Sequence, residues 1–301
     1  MKLKNSKENL RLESLFPVMY GGVLSLVILR SLQMTKFIDS ETGFLTGGGF
    51  VNVLLYIIIA ALCVYFVAIS FLSADGKKIE LANLKSKSAS IASTVFGVSL
   101  IYDSFSSFFD SVEILNGVSI GGFYSNAETF KTLMATGTLP YALQSLFALI
   151  SSVYAFVLAK SFSKGNSDAH NRKYLALSPI AWAAFKIITR FVKQISYVKV
   201  SDLLLELIML AFMILFFVAF AQVTSGVYSD DSRWRITALG LSGALVSLGI
   251  NVPRLVLGIF ANDFINKEYP FNLADTAFAV FAVVVAFATV KSISAVNQKA
   301  D

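Results

Sequence analysis

One cysteine, one histidine and five prolines in 301 residues, with charged side chains at only 15%, mark this sequence first by what it lacks. A lone Cys63 excludes an intrachain disulfide, and its place between Leu62 and Val64 reads as a buried, inert thiol. His170 stands by itself in a polar stretch, so a metal centre built on His or Cys has almost nothing to draw on. No metal and no cofactor are expected. The run Gly47, Gly48, Gly49 has no Lys-Ser/Thr ending and no strand before it, which excludes a phosphate-binding loop and leaves a flexible lead-in to the next apolar run. Pro-rich linkers, low-complexity tracts and any soluble or nucleotide-binding domain are missing too. The sequence therefore reads as one integral membrane domain over 1–301, opened by a short basic cytoplasmic segment, 1–14.

Hydrophobic residues, in contrast, fill 56% of the positions. Soluble domains carry about a quarter charged residues, so this deficit and the repeated apolar runs near 20 residues imply an all-α, polytopic transmembrane helix bundle. Eight spans are expected near 15–32, 50–72, 88–109, 139–159, 174–192, 203–225, 236–260 and 276–296. At about 1.5 Å per residue each covers most of a hydrocarbon core about 30 Å thick. The fifth is the weakest. Its apolar run from Ile180 to Phe185 meets Lys186 and Arg190, so a re-entrant or surface-lying segment is the alternative.

The first span follows Lys2, Lys4, Lys7 and Arg11 and lacks a small-x-small cleavage pattern at Ser31 to Met34, which makes it an uncleaved signal anchor. With eight spans, sixteen basic residues fall in loops on the side of both termini, five fall on the other side, and four lie within spans, accounting for all 25. Both termini are therefore cytoplasmic. If 174–192 does not cross, the tally becomes 17 against six, so charge does not choose between eight spans and seven; hydrophobic length selects eight. Acidic residues divide eight inside and eleven outside, which assigns the whole formal charge of +6 to the cytoplasmic face. That balance fits contact with anionic lipid headgroups and offers no basic domain able to dock a nucleic acid.

The four cations within spans, Arg30, Lys186, Arg190 and Arg254, carry the functional expectation. Charges inside a membrane cost at least about 2.5 kcal/mol on insertion scales and so face a partner, a cavity or a pathway. Counting residues from the inner ends places Arg30, Asp103, Lys186 and Arg254 about 18 to 27 Å deep, in the outer half. Lys186, Arg190 and Lys193 share one helical face and repel one another unless acids meet them. The acids expected to pair or gate are Asp103, Asp110 and Glu206, with Asp39 and Glu41 in reach from a loop. The distinguishing mark of an anion-attracting vestibule, as opposed to helix-stapling ion pairs, is a cation left without a carboxylate.

Pro253 adds a second signal, since proline inside a helix removes a donor and clashes with the carbonyl four residues back, at Gly249. A kink there would free backbone groups beside Asn251 and Arg254, as in the broken helices of transporters; the alternative is a harmless kink. Small residues at Gly21 and Ser25, Ser93 and Gly97, Gly243 and Ser247, and Ala282 and Ala286 predict close helix contacts. The stretch Asn126 to Met134, with a capping residue and apolar positions at Phe130, Leu133 and Met134, predicts a short amphipathic helix over the outer mouth.

Phe37-Ile38-Asp39-Ser40-Glu41-Thr42-Gly43-Phe44 after the signal anchor, and Val200-Ser201-Asp202-Leu203-Leu204-Leu205-Glu206 leading into a Phe-rich span, resemble uncharacterised multi-pass membrane proteins of anaerobic Gram-positive bacteria. The resemblance implies an integral cell-membrane location and eight spans, and carries no activity with it.

The expected function is a carrier or channel for a small anionic solute, entered through an outward-facing charged vestibule. Arg30, Lys186, Arg190, Asn251 and Arg254 are the candidate binding residues. The alternative is a non-transporting membrane subunit or surface sensor whose intramembrane charges only staple helices. An enzyme is not expected, because the spans gather no nucleophile, acid–base pair or metal ligands.

Overall fold

The computed structural model describes Leu12 and residues 14–39, 45–73, 85–117, 126–165, 167–192, 200–225, 232–260 and 270–299, apart from the side chains of 126–128, 167–171, 200–201, 232–233 and 292–299. Lys193, Glu41, the Asn126 side chain and nearly all of segment 1–14 therefore lie outside the described residues. Nine α-helices carry the described chain: α1 (Leu15–Lys36), α2 (Gly49–Leu72), α3 (Lys87–Gly117), α4 (Asn126–Thr136), α5 (Thr138–Lys164), α6 (Ser178–Val192), α7 (Val200–Thr224), α8 (Ser232–Phe260) and α9 (Leu273–Lys299). A 3-10 segment, Ser167–Leu177, leads into α6. Among the described residues there is no strand; a single antiparallel bridge joins Ile38 to Leu45.

Among the described residues seven helices are long and apolar enough to cross a membrane: α1, α2, α5, the stretch Arg172–Val192, α7, α8 and α9. The exception among the long helices is α3, whose serines and Asp103 dilute its apolar character. It nonetheless runs beside α5 in antiparallel register, through Ser90 Oγ on Ala159 O (2.8 Å), Ser104 Oγ on Ser145 O (2.9 Å) and Ser111 Oγ on Thr138 O (2.9 Å). A helix whose polar groups bond to its neighbour does not need the hydropathy of a lipid-facing one.

The long helices alternate in direction. Gln33 faces Asn52 across α1 and α2, Phe147 stacks on Phe185 across α5 and α6, Glu206 meets Arg254 across α7 and α8, and Asn251 meets Asn272 at the start of α9. Helix α1 lies parallel to α8, with Leu245 against Gly22 and Leu26 against Gly249. The start of α1 and the end of α9 thus share one end of the bundle.

Glycine and proline explain several of these contacts. A Cβ on Gly22 would stand 2.6 Å from Leu62 and 3.2 Å from Leu245, whereas Gly21, the position expected at a contact, has nothing within 4 Å. The contact is shifted by one residue because only Gly22 faces both α2 and α8. Gly97, Gly243, Ala282 and Ala286 do sit in helix contacts. Gly48 is no flexible lead-in: its φ of 68° is left-handed, and a Cβ would lie 2.5 Å from the Phe37 ring. Pro17, Pro140 and Pro179 occupy first turns, where a missing N–H costs little. Pro253 lies inside α8, which continues unbroken from Ser232 to Phe260. Of the two readings of Pro253, the opened backbone is not formed, and the continuous helix accords with the harmless one.

Mid-bundle, Phe96 of α3 stacks on Phe281 of α9 (5.4 Å) and Phe217 of α7 (5.9 Å), and Phe216, Phe220 and Phe278 extend the cluster. Trp182 of α6 closes it edge-on to Phe96, fully buried. Such pairs add about 0.5–1.5 kcal/mol each beyond the area they cover. The cluster ties together the four helices that carry most of the buried charge.

Candidate functional site

Every one of the eight long helices places a polar side chain in one layer across the end of the bundle opposite the start of α1. The layer begins where Gln33 donates to Asn52 Oδ1 (2.5 Å) and accepts from Arg30 Nη1. Arg30 then donates through Nη2 to Asp202 Oδ1, and Arg254 donates to Asp202 Oδ2, so one carboxylate from α7 bridges guanidinium groups of α1 and α8. Arg254 also reaches Glu206 Oε1 (2.7 Å) and, more weakly, Pro270 O (3.4 Å), while its Nε is buried without an acceptor. From α6, Arg190 Nε stands 2.9 Å from Glu206 Oε2 with its N–H turned off the line to that oxygen. Arg190 is the most exposed of the four cations, at 27% where the other three are 2–4%.

One turn along α6, Lys186 Nζ lies 2.5 Å from Asp275 Oδ1 and 3.8 Å from Asp103 Oδ1, and 5.0 Å from the centre of the Trp182 ring. Asp103 Oδ2 accepts from Trp182 Nε1 (2.8 Å) and Gln144 Nε2 (3.3 Å). Gln144 donates to Ser107 Oγ (2.9 Å) and accepts from Thr189 Oγ1 (2.8 Å). Four cations thus face four carboxylates, Asp103, Asp202, Glu206 and Asp275, each of the carboxylates largely withdrawn from solvent.

The arrangement follows from local structure. Asp202 and Asp275 sit in the first turns of α7 and α9, where the free N–H groups favour an acid. Asn272 caps α9 by accepting the N–H of Asp275 (3.1 Å), and Asn251 in turn accepts the N–H of Asn272 (3.1 Å) while donating to Ser247 O (3.0 Å). The Asn251 amide oxygen is therefore occupied in seating α9 on α8, while its nitrogen bonds back to its own helix.

Of the expected site residues, the structure brings Arg30, Lys186, Arg190, Arg254, Asp103 and Glu206 into one layer, with Asn251 holding its edge. Asp110 lies about two turns beyond Asp103 on α3, exposed at the rim. Two principal acids escaped the sequence reading as partners. Spans drawn from Leu203 and Thr276 left Asp202 and Asp275 outside the bundle; the helices begin at Val200 and Leu273 and carry both acids in. Gln33, Asn52, Gln144, Trp182 and Thr189 were missed because a neutral side chain in an apolar run carries no positional signal. Among the described residues no group of three His, Cys, Asp or Glu side chains is placed to hold a metal ion.

No protein-family model, curated protein or solved structure matches this chain.

Proposed function

We propose that the chain is a non-transporting protein of the cell membrane, a subunit or surface sensor, in which the charged layer fixes the depth and order of eight membrane-crossing helices. The observation that carries this reading is the pairing of Arg30, Lys186, Arg190 and Arg254, each with a carboxylate of another helix. A vestibule for an anion needs a cation without one. Beneath the layer, the rings of Phe96, Phe216, Phe217, Phe278, Phe281 and Trp182 are all buried and packed on one another.

Eight crossings are supported by α3. From Ser90 to Ser111, about 32 Å at 1.5 Å per residue, it stays bonded to a neighbour that is itself long and apolar enough to span, and that length equals the hydrocarbon core. The basic excess at the opposite end of the bundle supports a cytoplasmic position for both termini.

A second reading, a site for a small anionic solute, has one specific observation in its favour. Three guanidinium groups share two carboxylates, Arg254 Nε lacks an acceptor and Arg190 is partly exposed. Thermal unfolding of the purified chain against chloride, phosphate and small carboxylates separates the two. The proposed function expects no saturable stabilisation that depends on Arg190; a saturable shift abolished by Arg190→Gln would establish the solute site instead.

A further inference from the structure

The chain enters α6 differently from the other long helices. On the side of the charged layer toward the start of α1, each of the other seven runs on as α-helix for at least 15 residues, as from Arg30 to Leu15. Helix α6 stops eight residues past Lys186, at Ser178. The rest of the depth is crossed by the 3-10 segment Ser167–Leu177, whose backbone leaves helical angles at Arg172 (φ −116°, ψ 49°). From Arg172 onward the chain runs continuously into α6 as far as Val192.

Residue counting sets the level of this entry. Ser178 lies about 12 Å from Lys186 at 1.5 Å per residue, and at about 2 Å per residue of 3-10 helix Tyr174 lies about 20 Å and Arg172 about 24 Å from it. Lys186 is level with Asp103 of α3, at 3.8 Å. By the same count Ser90, the inner end of the core-length stretch of α3, is about 20 Å from Asp103. Tyr174 therefore stands at the edge of the hydrocarbon, and Arg172 and Lys173 stand at the level of the headgroups.

Their side chains suit that level. Arg172 and Lys173 are exposed, and neither makes a hydrogen bond or ion pair among the described residues. Tyr174 is 92% and Leu177 57% exposed, while Leu175 and Ala176 between them pack inward. Three more exposed cations gather close by. Ser86 N–H donates to Phe162 O (3.0 Å), which sets Lys85 and Lys87, on either side of Ser86, beside Lys164 at the end of α5, three residues before the 3-10 segment. Among the described side chains every carboxylate lies in the charged layer or beyond it, so none offsets these five cations.

We propose that the entry to α6 is a site for an anionic phospholipid of the cytoplasmic leaflet. Arg172 and Lys173 hold its phosphate, Tyr174 and Leu177 lie against the glycerol and the first acyl carbons, and Lys85, Lys87 and Lys164 add positive potential. An exposed aromatic and an exposed leucine one turn inward of the cations suit a lipid and give a free anion nothing. The choice of leaflet rests on the orientation proposed above; the site rests on the residues of the segment.

The test is lipid retention by the full chain, reconstituted in bilayers of phosphatidylcholine with phosphatidylglycerol and then released for native mass spectrometry. Wild type is expected to keep phosphatidylglycerol over phosphatidylcholine. Arg172→Gln/Lys173→Gln should lower that retention about tenfold and Tyr174→Ala about threefold, whereas Lys36→Gln/Lys131→Gln, an equal loss of charge elsewhere, should leave it unchanged. All of these positions are exposed, so the fold is expected to survive, with Tm in lipid-free detergent as the check. Equal retention by wild type and the Arg172/Lys173 variant, or an equal loss in the Lys36/Lys131 variant, overturns the proposal. Saturable stabilisation by inorganic phosphate that is lost in Arg172→Gln/Lys173→Gln overturns the lipid assignment in favour of a free anion. Orientation is read separately, by labelling Lys173→Cys in a Cys63→Ser chain with a membrane-impermeant maleimide. Labelling is expected from the cytoplasmic face of vesicles; labelling from the outer face overturns the leaflet and the orientation together, whatever the retention shows.

Discussion

Lys186 Nζ sits 2.5 Å from Asp275 Oδ1 with both side chains no more than 3% exposed, joining α6 to the first turn of α9. The lysine also neutralises Asp103 at 3.8 Å, so its removal and the removal of Asp275 are unequal events. Lys186→Met leaves two buried carboxylates facing each other and is expected to cost about 3–5 kcal/mol, the usual penalty for breaking a buried pair. Asp275→Asn leaves Lys186 with Asp103 and a hydrogen-bonding amide, and should cost clearly less. Denaturant unfolding in detergent measures both; equal costs would show that Asp103 does not share the lysine.

Exchanging Arg190 and Glu206 should restore little. Glu206 also holds Arg254 at 2.7 Å, so Glu206→Arg brings two guanidinium groups together whatever stands at position 190. The double exchange is expected to remain destabilised by at least about 2 kcal/mol, since truncating one side of such a pair leaves the other charge buried. Recovery to wild-type Tm would mean that the Arg254 contact carries no weight.

How far this layer was legible in the sequence depends on the kind of residue. Arg30, Lys186, Arg190 and Arg254 announced themselves, because a charge in an apolar run stands out and its depth follows from counting. Asp103 and Glu206 were found the same way. Asp202 and Asp275 were not, since an acid at the border of a span reads as loop until the helix start is known to the residue, and helix ends are the least certain part of such a reading. The pairing itself was out of reach: it joins residues such as Arg30 and Asp202, far apart in sequence, through helix neighbours that no local pattern encodes. At Pro253 the sequence left an opened helix and a harmless kink both standing, and α8 passes the residue whole.

The Asn251 amide, read from sequence as a solute ligand, seats the start of α9. Asn251→Ala should cost about 1–3 kcal/mol for the acceptor lost by the Asn272 N–H. It should also speed amide hydrogen exchange at Asn272 and Asp275 by more than tenfold relative to the middle of α9. Unchanged exchange there would remove the seating role.

Gly21 and Gly22 offer a paired control on the helix contacts. Gly22→Val is expected to destabilise the chain by at least about 1–3 kcal/mol, because added atoms meet Leu62 and Leu245. Gly21→Val, in open space, should be neutral or slightly stabilising. Measured Tm values in the reverse order would place the α1 contact on the wrong face.

A double-mutant cycle between Lys186 and Asp275, using Lys186→Met, Asp275→Leu and the pair together, tests most directly whether the intramembrane charges are consumed by one another. Unfolding free energies in detergent should give a favourable coupling of about 1–3 kcal/mol, with the double variant less damaged than the sum of the singles. A coupling near zero, with each single variant as stable as wild type, would contradict the account and return Lys186 to the candidates for a solute.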